Sequence, residues 1–571
     1  MAGDESPARI HRSVAPISRP AACKGHVAIA TADPDARERR RAAILVGAAW
    51  AFRLFAVFRQ RVNSDEPQHL HVVWAWTQGL LPYRDVFDNH MPLFHILAAP
   101  VLRVVGERPT AVLWMRLLVL PLWVLALWLV FRIGRALFST RVGVWAAAVG
   151  GLWPAFFRCS LEFRPDLLWA VLWLGTLTIL VEGRLTPRHG LAAGTLLGAA
   201  VGVSMKSVMM IAGLAVAFGA ALLLAPDRAH RRRAWMAAFA GAAGLLVVPA
   251  AITVFFASRG ALDPYLYGVI WHNALPGLGP HPWSWGTTAA LVVAVPTTWH
   301  VVRRIARGSD RGPRRAVVLL AAATYLGVLS IGWPLVTQQD QLPIVPLVAL
   351  FAVAALARLR AARGLLVSVV AVELALLVAD PGVWRKDALE ATTLTSDVLR
   401  LTDASDFVLD LKGESVFRPR STYWVLEGIT KERFRRGLIP DDLAADLVAT
   451  RTGAVAGWHW GLPARSRRFV AAHYLRVRSF PRAGTLLVAG RWLDPGSEDR
   501  FDIPFSLSYA LLDEHGARPQ GLLDGAPYDG PRVLDAGAHV YQPAPGEGRV
   551  VLLWEKAAQR GFVPPFERRV S

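Results

Sequence analysis

The residues of this chain that could do chemistry sit in short polar stretches between long apolar ones. Two lie close together, Asn63-Ser-Asp-Glu-Pro-Gln-His-Leu-His71 and Tyr83-Arg-Asp-Val-Phe-Asp-Asn-His-Met-Pro-Leu-Phe-His95. A third reads Arg158-Cys-Ser-Leu-Glu-Phe-Arg-Pro-Asp166, and Lys206 and Gln338-Gln-Asp-Gln341 come later. A carboxylate beside an apolar segment is costly unless it is paired or wet, so these stretches point to a shared polar cavity at a membrane boundary.

Each has a plainer reading beside it. Ser64 followed by Asp65, Glu66 and Pro67 suits a helix N-terminus with acidic residues on the positive end of the dipole. Asp166 after Pro165 equally suits a cap, with Arg164 a solvated neighbour. His69 follows Asp65 by four residues, a spacing that could place a metal on a helix face, but two lone residues favour an interfacial histidine. Lys206, in Val203-Ser-Met-Lys-Ser207 with almost no loop around it, could snorkel or present its ammonium to an anionic lipid headgroup. Arg53, inside an apolar stretch, faces the bundle or snorkels. The 22 tryptophans read as interface belts and core packing.

The elements that position these residues follow from composition. The 571 residues are 54% hydrophobic and 19% charged, with mean hydropathy +0.35, a shift toward lipid on both counts. That excludes a soluble enzyme and a disordered chain. The net charge of +20 comes from Arg runs between apolar segments rather than one basic face, so no nucleic acid partner is expected. Two cysteines, Cys23 and Cys159, are too few for a disulfide framework or a thiolate metal site.

Apolar stretches predict eleven spanning helices, at about 43–60, 111–131, 142–157, 166–181, 189–204, 207–225, 234–257, 285–302, 316–336, 342–357 and 364–380. The segment 91–105 is placed as a helix at the interface. With the N-terminus inside, the arginines of 132–141, 184–188, 228–233, 303–315 and 358–363 all fall on inner connections, as the positive-inside rule asks. A twelfth span at 91–105 would put those clusters outside. The expected organisation is a disordered cytoplasmic tail over 1–41, a membrane domain over 42–380 with its first outer loop at 60–110, and an extracytoplasmic C-terminal domain over 381–571. That last domain is expected to be α/β and then β-rich, with a subdivision near 490. The runs Phe407–Leu411, Thr485–Ala489 and Val550–Trp554 are its clearest strand candidates.

Several motifs resemble one family. Asp65-Glu66, Gly79-Leu-Leu-Pro-Tyr83 and His90-Met-Pro-Leu93 resemble in order the first outer loop of the C-type (GT-C) membrane glycosyltransferases. The group most similar is the bacterial protein mannosyltransferase and lipid A aminoarabinose transferase superfamily. Arg116-Leu-Leu, Ile133-Gly-Arg-Ala-Leu-Phe-Ser-Thr-Arg-Val-Gly143, Arg164-Pro-Asp166, the Gly-rich span Leu196–Lys206 and Gln341-Leu-Pro-Ile-Val-Pro346 continue the likeness over roughly 45–360. One departure is His90-Met-Pro92, where many members have Lys-Pro-Pro or His-Pro-Pro.

The resemblance implies an α-helical polytopic fold and an enzyme of the inner, or plasma, membrane. It would move a hexosyl or pentosyl group from a polyprenyl-phosphate donor to a glycan, lipid or protein hydroxyl, with inversion. Asp65 is the implied base, with Glu66 and Asp166 beside it. Lys206, Arg84 and His90 are the implied cations for the donor phosphate, and His69 and Asp88 would orient the acceptor or a metal. No cofactor is required, and a divalent cation is an open option. The competing reading is a polytopic transporter or flippase of a lipid-linked or anionic substrate, and a third is a membrane scaffold whose C-terminal domain binds a partner. A transporter would set polar groups near the bilayer midplane, whereas these gather at one boundary.

Overall fold

The computed structural model describes residues 34–278, 285–332, 336–385, 387–494 and 498–566. Residues 1–33 of the expected tail, and Cys23 with them, lie outside the described residues. Each of the eleven apolar stretches contains a helix: α1 (Pro34–Val57), α4 (Ala111–Leu137), α5 (Thr140–Leu152), α7 (Asp166–Glu182), α8 (Pro187–Val203), α9 (Ser207–Leu223), α10 (Arg228–Ser258), α12 (Trp285–Arg307), α13 (Gly312–Gly332), α14 (Val345–Leu356) and α15 (Ala362–Ala379). Between them lie α2 (Asp65–Thr77), α3 (Leu93–Val105), α6 (Pro154–Cys159) and α11 (Leu262–Leu266). Among the described residues α4, α10, α13 and α15 are by themselves long and apolar enough to cross a membrane, while α9 and α14 are apolar but shorter. Pro154 ends α5 and starts α6, so the stretch expected as one span at 142–157 is a broken helix. The segment 91–105 becomes the 13-residue α3, about 20 Å long and short of a bilayer core.

Packing is set by small residues and by a few buried cations. Gly190, Gly194 and Gly198, one turn apart on α8, lie against the backbone of α10, and a Cβ on either of the first two would come within 2.0 Å of the carbonyl oxygen of Ala237 or Gly241. Only glycine permits that approach, so α8 and α10 pack backbone to backbone. Arg53 faces the bundle rather than snorkelling: it donates to the carbonyl oxygens of Phe157 at 2.8 Å and Ser160 at 2.9 Å and lies over the Trp123 ring. It thereby ties α1 to α6 and the polar stretch that follows it.

The C-terminal domain is built on a seven-stranded sheet. Its strands are β1 (Val408–Leu409), β2 (Ala454–Gly457), β3 (Tyr474–Phe480), β4 (Gly484–Leu493), β6 (Leu507–Leu512), β9 (Arg532–Leu534) and β11 (Val550–Trp554), in the order β1-β2-β4-β11-β6-β9 with β3 also paired to β4. A four-stranded sheet of β5 (Asp499–Ile503), β7 (Gly521–Leu523), β8 (Ala526–Pro527) and β10 (Gly537–Pro543) adjoins it in sequence. β4 runs through residue 490 and pairs with β2, β3 and β11, so the main sheet is continuous where a subdivision was expected. The expected strands at 407–411, 485–489 and 550–554 correspond to β1, β4 and β11.

Candidate active site

The helix that begins at Asp65 is not capped as the sequence suggests. Ser64 makes no side-chain cap bond. Asn63 Oδ1 accepts the Asp65 N–H at 3.0 Å and Glu66 Oε1 accepts the Asn63 N–H at 2.8 Å, which leaves the Asp65 carboxylate available for other partners. Those partners are Arg164, whose Nη1 donates to Asp65 Oδ2, and Lys412, whose Nζ lies 2.6 Å from Asp65 Oδ1. Burial alone would raise the Asp65 carboxyl, but the two cations outweigh it and hold it well below the usual carboxylate range.

Arg164 is a buried bridge rather than a solvated neighbour. Its Nε donates to Asp166 Oδ2 at 2.9 Å and lies 3.8 Å from Glu162 Oε2, so one guanidinium serves three carboxylates. Asp166, at the start of α7, makes no cap bond and turns to Arg164 instead. Glu162 accepts from Asn63 Nδ2 at 3.1 Å and Gln339 Nε2 at 3.0 Å, and its burial pushes the carboxyl up to about 7 in spite of Arg164. Gln339 belongs to the loop whose next residue, the buried Asp340, is ion-paired to Lys206. Lys206 is therefore a paired cation, not a lone one. A polar chain runs from Lys206 through Asp340, Gln339, Glu162 and Arg164 to Asp65 and Lys412.

Glu66 takes no part in that chain. It is fully buried, and its two oxygens accept from Arg116 Nη2 at 2.6 Å, Arg116 Nε at 2.7 Å, Phe163 N at 2.8 Å and Asn63 N. Four donors occupy the four acceptor sites of a carboxylate, which leaves none for a substrate. Arg116 spends its remaining N–H groups on the carbonyl oxygens of Val57, Gln60 and Arg61 at the end of α1.

Behind Asp65 lies a histidine cluster that sequence spacing only partly revealed. His69 is buried, not interfacial, with Nδ1 3.0 Å from His95 Nε2 and its ring 4.5 Å from that of His90. Burial and the neighbouring imidazoles hold His69 well below the ordinary histidine range, and burial lowers His95 to about 4. The buried Asp88 is hydrogen-bonded to His90 Nδ1 at 2.9 Å and lies 3.3 Å from His95 Nδ1 without hydrogen-bond geometry, so it anchors the His90 ring and is closed off from solvent. The His90 side chain remains 29% exposed. Arg84 lies apart, exposed and paired with its neighbour Asp85. Among the described residues no group of three or more His, Cys, Asp or Glu side chains has the geometry to hold a metal ion.

The C-terminal domain covers the first outer loop at two places and the connection after α11 at a third. Val416 O lies 2.6 Å from His71 Nδ1 and Tyr423 donates its hydroxyl to Tyr83 O at 2.5 Å, while Glu427 Oε1 lies 3.1 Å from His272 Nε2. Between domain and loop a cleft lined by Arg61, Ser64, Arg108, Glu414, Trp458 and Arg482 among others opens beside Ser64 and Pro67, which flank Asp65-Glu66 in the chain.

The model of the family described as dolichyl-phosphate-mannose-protein mannosyltransferase matches residues 89–253, a segment that holds His90, Asp166 and Lys206. No curated protein matches the chain. Among solved structures the chain is similar to ArnT from Cupriavidus metallidurans bound to undecaprenyl phosphate, at 12% identity and TM-score 0.55, over 78% of this chain and 97% of that one. ArnT in the apo state matches at 12% identity and TM-score 0.54, over 79% of this chain and 98% of that one. The Archaeoglobus fulgidus oligosaccharyltransferase in the apo form aligns at 12% identity and TM-score 0.42, over 76% of this chain and 73% of that one. Mostly helical, with a sheet-rich domain at the C-terminus, the chain has the polytopic fold of the C-type membrane glycosyltransferases.

Proposed function

We propose that this protein transfers a sugar from a polyprenyl-phosphate donor to an acceptor hydroxyl at the outer face of a bacterial inner membrane. The observation that carries this reading is Asp65: an ionised, partly exposed carboxylate at one end of the helix bundle, held by two cations and preceded by Ser64, which lines the cleft. The fold shared with ArnT, whose structure holds undecaprenyl phosphate, supports a lipid-phosphate donor.

In this reading the acceptor hydroxyl attacks the anomeric carbon, Asp65 takes the hydroxyl proton, and the bond from that carbon to the phosphate oxygen breaks. The electron pair leaves with the polyprenyl phosphate, where Lys206 and the exposed edge of His90 offset the developing charge. A single displacement inverts the anomeric centre. Asp166 and Glu162 act through Arg164, Asp88 and His69 act through His90, Glu66 is a strut, and Arg84 has no role. The acceptor, a glycan, lipid or protein hydroxyl, enters by the cleft between the first outer loop and the C-terminal domain.

The test is a panel of undecaprenyl-phosphate hexoses and pentoses offered to the full-length protein in lipid nanodiscs, with Asp65→Asn as control. Turnover of at least one donor by the wild type and a loss of roughly 10²–10⁴-fold in the variant, with an intact fold, is expected. Failure to turn over any donor, or near-normal transfer by the variant, would sink the reading.

A further inference from the structure

Resting on the reading of Asp65 as the base, we infer that Lys412 of the C-terminal domain is a positioning residue of the active site, fixing one carboxylate oxygen of Asp65 while Arg164 fixes the other. The two residues are 347 positions apart in the chain. Lys412 Nζ lies 2.6 Å from Asp65 Oδ1 and 3.3 Å from Ser64 Oγ.

The loop that carries Lys412 is built to hold it there. The buried Asp410 accepts the N–H groups of Gly413 at 2.7 Å and Ser415 at 2.9 Å and is ion-paired to Arg420 at 2.8 Å. Glu414 Oε2 accepts the Lys412 N–H itself at 2.7 Å. Gly413 has φ +85°, and a Cβ there would meet His71 Cβ at 3.0 Å and Pro67 O at 3.1 Å, so glycine is required both by the turn and by the approach to α2. Val416 takes the left-handed φ of +49°, a cost that the His71 bond to its carbonyl helps to offset. Strain of this kind in a β-branched residue, next to a lysine aimed at the candidate base, marks a loop shaped for position.

Charge accounting gives the lysine its task. Around Asp65 stand Arg164, Glu162 and Asp166 from the segment before α7 and its first residue, Lys412 from the C-terminal domain with Glu414 on its backbone N–H, His90 from the first outer loop, and Glu66 and His69 from α2 itself. Glu66 is neutralised by Arg116. Without Lys412, three carboxylates would share the single guanidinium of Arg164, and a poorly solvated cluster of that sign draws protons onto its carboxylates. Lys412 thus adds to Arg164 in holding Asp65 ionised, fixes the oxygen that Arg164 leaves free, and makes the outer domain part of the catalytic unit.

The experiment uses full-length protein and the donor that the wild type turns over in the panel, reading kcat/KM against pH for Lys412→Met and Lys412→Arg. Removing a cation within about 4–6 Å of a carboxylate raises its pKa by about 1–3 units, so the acid limb of the Met variant moves up in pH by that amount, and arginine restores it. In an Asp65→Asn background the Met substitution has no further effect on the profile. An acid limb that stays in place in Lys412→Met, while Asp65→Asn abolishes transfer, overturns the role of Lys412 alone. Normal transfer by Asp65→Asn overturns the base reading and the lysine's role with it.

Discussion

Arg315 Nε donates to the carbonyl oxygen of Leu137 at 2.8 Å, joining the first turn of α13 to the last residue of α4. Arg311 reaches the next carbonyl, that of Phe138, also at 2.8 Å. The other end of α4 is held by Arg116 to Glu66, and its 27 residues separate the two ends by about 40 Å. Arginine clusters and candidate site therefore lie at opposite ends of the bundle, as an inside and an outside would. Reporter fusions after Arg233 and Arg311 are expected to read cytoplasmic, and those after Asp340 and Gly413 extracytoplasmic. A cytoplasmic signal after Gly413 would invert the C-terminal domain and remove Lys412 from the outer face.

Arg164 is the single cation shared by Asp65, Asp166 and Glu162. Its loss leaves buried carboxylates without compensation, which in general costs about 3–5 kcal/mol. Arg164→Ala is expected to lose that much stability along with activity. Arg164→Lys keeps the charge but not the fork that spans two carboxylates. It is expected to stay folded while transfer falls, measured as turnover per folded molecule beside the melting temperature. Full activity in the Lys variant would show that charge alone suffices and that the bridge between Asp65 and Asp166 is incidental.

The parts of this architecture that were legible in the sequence are those with local signatures. Helices announced themselves as apolar runs, the resemblance to a family rested on short ordered motifs, and Asp65, Asp166 and Lys206 do meet in one network. What stayed hidden was pairing at a distance. Arg164 looked solvated because nothing local shows that Asp65 approaches it from 99 residues away. Lys206 looked alone because its partner Asp340 lies 134 residues on. Glu66 looked chemical because its partner Arg116 sits in a helix that reads as a plain span. Glu162 stood unremarked in a quoted stretch, and only the tertiary fold, by burying it against Asn63 and Gln339, gives it an unusual carboxyl. Lys412 carries no motif at all.

Glu66 and Asp65 are neighbours with opposite expected behaviour. Glu66→Gln preserves shape but leaves the fully buried Arg116 without its counter-charge, so a stability loss of about 3–5 kcal/mol is expected. Turnover per folded molecule should stay near wild type, because no atom of Glu66 faces the cleft. Asp65→Asn should show the reverse, with a small change in melting temperature and a large loss of transfer. Transfer lost in Glu66→Gln with the melting temperature unmoved would return Glu66 to the chemistry.

Glu162 gives the site a pH signature of known sign. Burial raises its carboxyl to about 7, whereas in the unfolded chain it returns to the ordinary range near 4.5. Between those values the folded protein keeps a proton that the unfolded chain has given up. Raising the pH through this window therefore favours unfolding, by at most about 1.4 kcal/mol for each pH unit. Below the window the contribution is fully present, and above it the contribution is lost. Glu162→Gln cannot titrate and still offers an oxygen to either Asn63 Nδ2 or Gln339 Nε2. The melting temperature of the wild type, measured in nanodiscs from pH 5 to 7.5, is expected to fall more steeply than that of the variant, the two curves diverging as pH rises. Parallel curves would mean that Glu162 is ionised throughout, with Arg164 prevailing over burial. Transfer adds a second arm, since a carboxyl near 7 also matches the working range of a general base. If Glu162→Gln loses transfer by roughly 10²–10⁴-fold while Asp65→Asn does not, proton abstraction belongs to Glu162, and Asp65 becomes the group that holds Arg164 in place for it.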